Sequence, residues 1–102
     1  INIYKLYIYY NRAMAKYDIG DYIAAISDYD KSIEIDPNQS ESYNNRGIVK
    51  EAIKDDLGAI SDYSKSIEID PTNSYAYYNL GYLKGKLGDM ISACSDWEKP
   101  HH

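Results

Sequence analysis

Phenylalanine is absent from this chain, cysteine and tryptophan occur once each, and histidine is confined to the last two positions, His101 and His102. Each scarcity removes a class of function. A single cysteine, Cys94, can neither close an internal disulfide nor build a cysteine metal site. Nothing therefore points to an oxidising compartment, and the cytoplasm is the expected location. Without a histidine before the terminal pair there is no imidazole to serve as a catalytic base. No glycine-rich phosphate loop is present, and no nucleophile stands beside a plausible base; Cys94, with only helix neighbours, reads as a small buried hydrophobe. Asp18, Asp21, Asp55 and Asp89 suit turns and caps, and their spacing does not suit calcium. No enzymatic activity, cofactor or metal is expected.

Basic side chains are also few, 11 against 16 acidic ones, and the net charge of −5 repels phosphate backbones and anionic headgroups. Nucleic acid and membrane are accordingly disfavoured as partners. No apolar run approaches the roughly 20 residues of a spanning helix, since Asn2 and Lys5 interrupt even the segment from Ile1 to Tyr10. The closing Pro100, His101 and His102 read as part of a purification tag, which removes the two histidines from any metal argument.

What the chain has in excess is repetition. AISDYDKSIEIDP, from Ala25 to Pro37, returns as AISDYSKSIEIDP from Ala59 to Pro71, a spacing of 34 residues. A period of that length with two helical patterns per unit marks stacked helix-turn-helix units, none of which can bury its apolar face alone. In the first unit Tyr9, Ala13 and Tyr17 share a helix face, Gly20 breaks it, and Asp21 is placed to cap a second helix carrying Tyr22, Ile26, Tyr29 and Ile33. Asp36-Pro37 ends that helix, because proline disfavours helical geometry in the residue before it. The second unit repeats the plan, with Tyr43 and Gly47, a turn at Asp55 or Asp56 that lacks glycine, and then Ile60, Tyr63 and Ile67. The third opens at Ser74, holds Tyr77 and Gly81, is expected to turn at Gly88-Asp89, and enters a last helix with Ala93 and Trp97.

Together Tyr43 with Gly47, Tyr77 with Gly81, the small residues Ala25, Ala59 and Ala93, the aromatics Tyr29, Tyr63 and Trp97, and Pro37 and Pro71 resemble the tetratricopeptide repeat family from Leu6 to about Lys99. Departures are Ala13 for the usual glycine, Arg12 and Arg46 where leucine is commoner, and Asp56 where Tyr22 and Met90 stand in the sister units. The resemblance implies an all-α solenoid of antiparallel helix hairpins, a right-handed superhelix of about three repeats whose first helices line a concave groove. Residues 1–5 lead into the first helix; 6–39, 40–73 and 74–99 form the units, the last with a truncated second helix; 100–102 stand apart. Pro100 falls where Ser32 and Ser66 lie inside a helix, and would cost about 3 kcal/mol there. An uncapped C-terminal end and homo-oligomeric association through it are expected.

Surface recognition of a protein or peptide is the expected function, with a structural spacer or self-assembly segment of a longer array as the alternative. Asn11, Asn45 and Asn79 recur once per unit, at a place that faces the groove in the family, where an amide can bond an extended main chain. They could equally be solvated or bond a neighbouring helix turn. Tyr7, Tyr10, Met14, Asn44, Ile48, Tyr75, Tyr78, Tyr82 and Lys86 are the other inward-facing candidates. Tyr9, Tyr29, Tyr43, Tyr63 and Tyr77 lie on the apolar stripes and are expected in the core. Some members of the family clamp the carboxylate of chaperone tails with lysines, an arginine and asparagines. Only Asn45 matches that clamp, because Tyr10, Met14, Tyr75 and Asn79 replace Lys, Asn, Lys and Arg, so such tails are not expected partners. Arg12 and Arg46 each precede an aspartate, Asp28 and Asp62, by 16 residues and could pair with it across a hairpin. Asp96 keeps the acid although Leu80 replaces the arginine, so the aspartate could instead cap, be solvated or pair elsewhere.

Overall fold

The computed structural model describes the backbone of residues 1–98 and the side chains of residues 1–90, so the expectations for Pro100 and for the side chains of Ala93, Cys94, Asp96 and Trp97 lie outside it. Among the described residues five helices follow one another: α1 (Ile3–Asp18), α2 (Tyr22–Ile35), α3 (Ser40–Ala52), α4 (Asp56–Ile69) and α5 (Ser74–Glu98). α1 with α2 and α3 with α4 form hairpins; α2 packs on α3, and α4 on α5. The stack is elongated, 62 × 29 × 17 Å. None of the described helices is long and apolar enough to cross a membrane.

The hairpin turns are built alike. After α1 the N–H of Asp21 donates to Lys16 O at 2.8 Å and that of Gly20 to Tyr17 O at 3.0 Å, with Gly20 at φ +83°. After α3, Asp55 N donates to Lys50 O at 2.8 Å and Lys54 N to Glu51 O at 3.0 Å. This pattern requires one left-handed residue, and Lys54 supplies it at φ +69° despite carrying a side chain. Lys54→Gly is therefore expected to raise stability by about 1 kcal/mol, read as a higher thermal midpoint; no change would mean that Lys54 is not strained. Asp55 caps α4 by accepting from Gly58 N at 3.0 Å, whereas the Asp21 carboxylate makes no bond to α2. Proline ends α2 and α4 as expected, with Asp36 and Asp70 extended at ψ 98° and 94°.

Two clusters make the core. Ala13, Ala25, Tyr29 and Val49 form the first, and Ala59, Tyr63 and Leu83 the second. The small residues at the crossings work by proximity: a Cβ on Gly47 would lie 2.7 Å from Cε1 of the buried Tyr63 ring. Between the ends of the hairpins the buried surface is hydroxylic. Ser40 Oγ and Ser66 Oγ lie 2.8 Å apart, each also within hydrogen-bond distance of the other residue's carbonyl, at 3.0 and 2.9 Å, and Ser32 meets Ser42 at 2.9 Å. No buried side-chain polar atom among the described residues lacks a partner.

The arginine pairs form in both complete hairpins. Arg12 donates through Nε and Nη2 to Asp28 at 2.8 and 2.7 Å, and Arg46 likewise to Asp62 at 2.9 and 2.7 Å. Each aspartate takes a second cation, Lys16 at 3.2 Å and Lys50 at 3.1 Å. Arg12 holds the Asp28 carboxyl below the ordinary carboxylate range.

The third unit departs from expectation. No turn forms at Gly88-Asp89; α5 runs through both as one helix of 25 residues. A helix tolerates Gly88, and staying helical keeps the backbone hydrogen bonds that a turn would break. Gly81 consequently faces open space where Gly47 meets a ring. Tyr77, expected in the core, is 50% exposed. Arg12 lies 5.3 Å over the Tyr9 ring and Arg46 5.4 Å over that of Tyr43, three residues earlier each time, but the place after Tyr77 holds Leu80. Tyr9 and Tyr43 are only half-buried, while Tyr29 and Tyr63 are core.

Candidate functional site

The inner face is made by α1, α3 and α5, whose spacing across the stack is set by Tyr29 and Tyr63 behind them. Three concavities of about 630, 460 and 210 Å³ open on it, and Ile48, at the middle of α3, lines all of them. The largest lies between Tyr10 and Met14 on α1, Asn44 and Asn45 on α3, and Tyr75 and Asn79 on α5. The next is flanked by Tyr78, Tyr82 and Lys86. The smallest sits between Met14 and Asn45. Every candidate inner residue except Tyr7 and Asn11 thus reaches a concavity. Tyr7 stands aside with its ring edge-on to Tyr10 at 6.2 Å, and Asn11 is exposed on α1.

The asparagines are not a row of free amides. Asn45 Nδ2 donates to Tyr10 Oη at 2.8 Å, and Asn79 Nδ2 donates to Asn44 Oδ1 at 3.0 Å. Each spends a donor on a residue 35 positions earlier, in the neighbouring first helix, so the ladder ties layer to layer. Lys86 Nζ does the same to Glu51 at 3.4 Å. Asn44 Nδ2 in turn donates to Asn45 Oδ1 at 3.5 Å, so of these three amides Asn79 alone keeps an oxygen with no hydrogen bond among the described residues. Tyr10 is held protonated well into the basic range, mainly by burial and further by Glu41 nearby. Tyr63 is raised more strongly by burial, and its hydroxyl donates to Glu51 at 2.9 Å.

Exposed aromatic surface is concentrated on α5, where Tyr78 and Tyr82 stack with centroids 6.3 Å apart. Several lining residues escaped the sequence reading. Tyr17, on the α1 face it shares with Tyr9 and Ala13, borders two concavities. Glu41 stands in the first turn of α3, and Asp70, Thr72 and Asn73 come from the α4–α5 loop. The α4–α5 loop thus sits at the mouth of the largest concavity. No group of three or more His, Cys, Asp or Glu among the described residues is placed to hold a metal.

Comparison of the sequence with curated proteins finds no match. Among solved structures the fold is similar to MamA, at TM-score 0.79 and 26% identity, over 81% of this chain and 48% of that one. This chain therefore spans about half the length of MamA. It is also similar to the first TPR of Spaghetti (RPAP3) bound to the HSP90 peptide SRMEEVD, at TM-score 0.78 and 24% identity over 85% and 69% of the two chains. The TPR2B domain of yeast Sti1 in complex with pHsp70 gives TM-score 0.80 at 24% identity over 87% and 71%. A tetratricopeptide repeat family model matches residues 6–39, and a second of the same description matches residues 28–60 and 62–94. With the repeats matched through most of its length and stacked as hairpins, the chain belongs to the tetratricopeptide repeat family.

Proposed function

We propose that the protein is a non-catalytic interaction module whose inner groove holds an extended segment of a protein partner. The observation that carries this reading is the meeting of the concavities at Ile48, walled by tyrosines of α1 and α5 and backed by Tyr29 and Tyr63. Tyrosine offers large contact area at small rotamer cost, and the asparagine oxygens accept from main-chain N–H groups. The solved structures of Spaghetti and Sti1 hold chaperone peptides, but this groove is proposed not to. Tyr10, Met14, Tyr75 and Asn79 stand where that clamp has other side chains, and no lysine or arginine lines the largest concavity. A titration with SRMEEVD is expected to show no specific binding; micromolar affinity that vanishes on carboxylate amidation would refute the exclusion.

Tyr75, Tyr78 and Tyr82 are 60–77% exposed, so changing them to alanine removes groove surface without touching the core. Peptide-array binding is expected to fall broadly, by roughly tenfold or more, while the circular dichroism melt is unchanged. Undiminished binding would show that the groove is not used. A second reading, self-association through the C-terminal end, is favoured by the open space at Gly81 on α5. Sedimentation showing a strict monomer at high concentration would dispose of it.

A further inference from the structure

Charge is distributed unevenly along the groove. Glu41 and Asp70 are the only charged residues lining the largest concavity, and neither is in an ion pair among the described residues. Asp70 Oδ1 accepts both from Thr72 N at 3.0 Å and from Thr72 Oγ1 at 2.6 Å, while its Oδ2 has no hydrogen bond. The same contacts hold the Asp70 carboxyl below its ordinary range, so it stays charged. Beyond Ile48 the sign changes: Lys54 and Lys86 border the second concavity, with Glu51 already engaged by Lys86.

We propose that the concavity between α1, α3 and the start of α5 is an anchor pocket for a lysine or arginine of the bound protein segment. This rests on the groove being a peptide site and names the chemistry of its occupant. A basic side chain is the group this lining receives well. Its aliphatic stem passes Met14, its cationic head meets the faces of Tyr10 or Tyr75 and reaches the free Oδ2 of Asp70 and the exposed carboxylate of Glu41. A carboxylate in the same place would meet two like charges and no cation. The amide oxygens of Asn44, Asn45 and Asn79 line the same concavity and, with two lone pairs each, can accept from the N–H groups of the cation. The pocket is thus opposite in sign to what an acidic tail requires, and the −5 charge of the whole chain draws a basic segment toward it.

The test is an array of ten-residue peptides, each presented with Arg, Gln and Glu at its centre, probed with the wild-type chain, Glu41→Gln and Glu41→Gln/Asp70→Asn. Arg-centred peptides are expected to bind about tenfold better than their Gln counterparts, and Glu-centred ones worst. The double variant should bring Arg down to the Gln level while leaving Gln binding unchanged, with Glu41→Gln alone, at an exposed site, giving part of that loss in a chain of unaltered melt. Equal binding of the three sets, or an Arg preference that survives both substitutions, would overturn the anchor while leaving the groove in use. If no peptide of any set binds, the groove reading falls with it.

Discussion

Replacing Asp62 by alanine is expected to lower stability by roughly 3–5 kcal/mol, a large part of the ~5–15 kcal/mol that a domain of this size possesses. The Asp62 side chain is 4% exposed, and it holds Arg46 through two parallel hydrogen bonds and Lys50 through a third contact. Arg46 is itself only 18% exposed, so losing its carboxylate leaves a guanidinium that water cannot reach freely, with Asp30 at 2.8 Å as its remaining partner. The first hairpin provides the control. Asp28 is equally buried, but Arg12 is 49% exposed and hydrates once released, so Asp28→Ala should cost about 1–2 kcal/mol. Urea unfolding of both variants measures the difference. Equal costs would show that burial of the arginine does not set the price.

The same cluster predicts an acid limb. The Asp28 carboxyl has its folded value below the unfolded one of about 3.9, because Arg12 and then Lys16 favour its charged form. Its contribution is therefore complete above pH ~4 and is lost as pH falls through the lower folded value. Asp28→Asn should flatten the fall of thermal midpoint below pH 4 and leave less to lose; an unchanged acid limb would place the titrating group elsewhere.

The hairpins were legible because their boundaries depend on local chemistry: Pro37 and Pro71 restrict the residue before them, and Gly20 provides a left-handed position. The arginine pairs were legible too, since a 16-residue spacing repeated in two units fixes opposite points of a hairpin. Lys54 shows where local rules give way. The turn after α3 is imposed by packing of α3 on α4, and the backbone takes a left-handed value that lysine does not favour. At Gly88 the balance runs the other way, and a turn signal without the packing seen at Gly47 stays helical. In the groove, the sequence placed the asparagines on the inner helices but could not orient them. A one-residue offset, 35 in place of 34, decides that Asn45 meets Tyr10 and Asn79 meets Asn44. Glu41 and Asp70 went unseen because they come from a helix start and a loop, outside the periodic stripes that periodicity can reveal.

Gly47→Ala is expected to destabilise the protein by about 2–3 kcal/mol, although alanine is the better helix former by about 1 kcal/mol. The added methyl would lie 2.7 Å from Cε1 and 2.9 Å from Cδ1 of Tyr63, with Ala59 O at 3.3 Å. Tyr63 has little freedom to yield: it is 1% exposed, packed with Ala59 and Leu83, and pinned at its hydroxyl by Glu51. Either α3 and α4 separate or the ring leaves its well, and both open the second core cluster. Ala13 holds the equivalent place in the first hairpin, fully buried, so the fold admits a methyl where the ring has left room for it; at Gly47 that room is filled. Gly81→Ala, at the same place in the third unit, should instead stabilise α5 by up to about 1 kcal/mol, because nothing lies within 4 Å of its Cβ position. Opposite signs from one substitution at repeat-equivalent sites, read as shifts of the urea midpoint, would show that the glycine is demanded by the packed ring and not by the helix. A loss at Gly81 matching that at Gly47 would mean that α5 in solution carries a helix against that face.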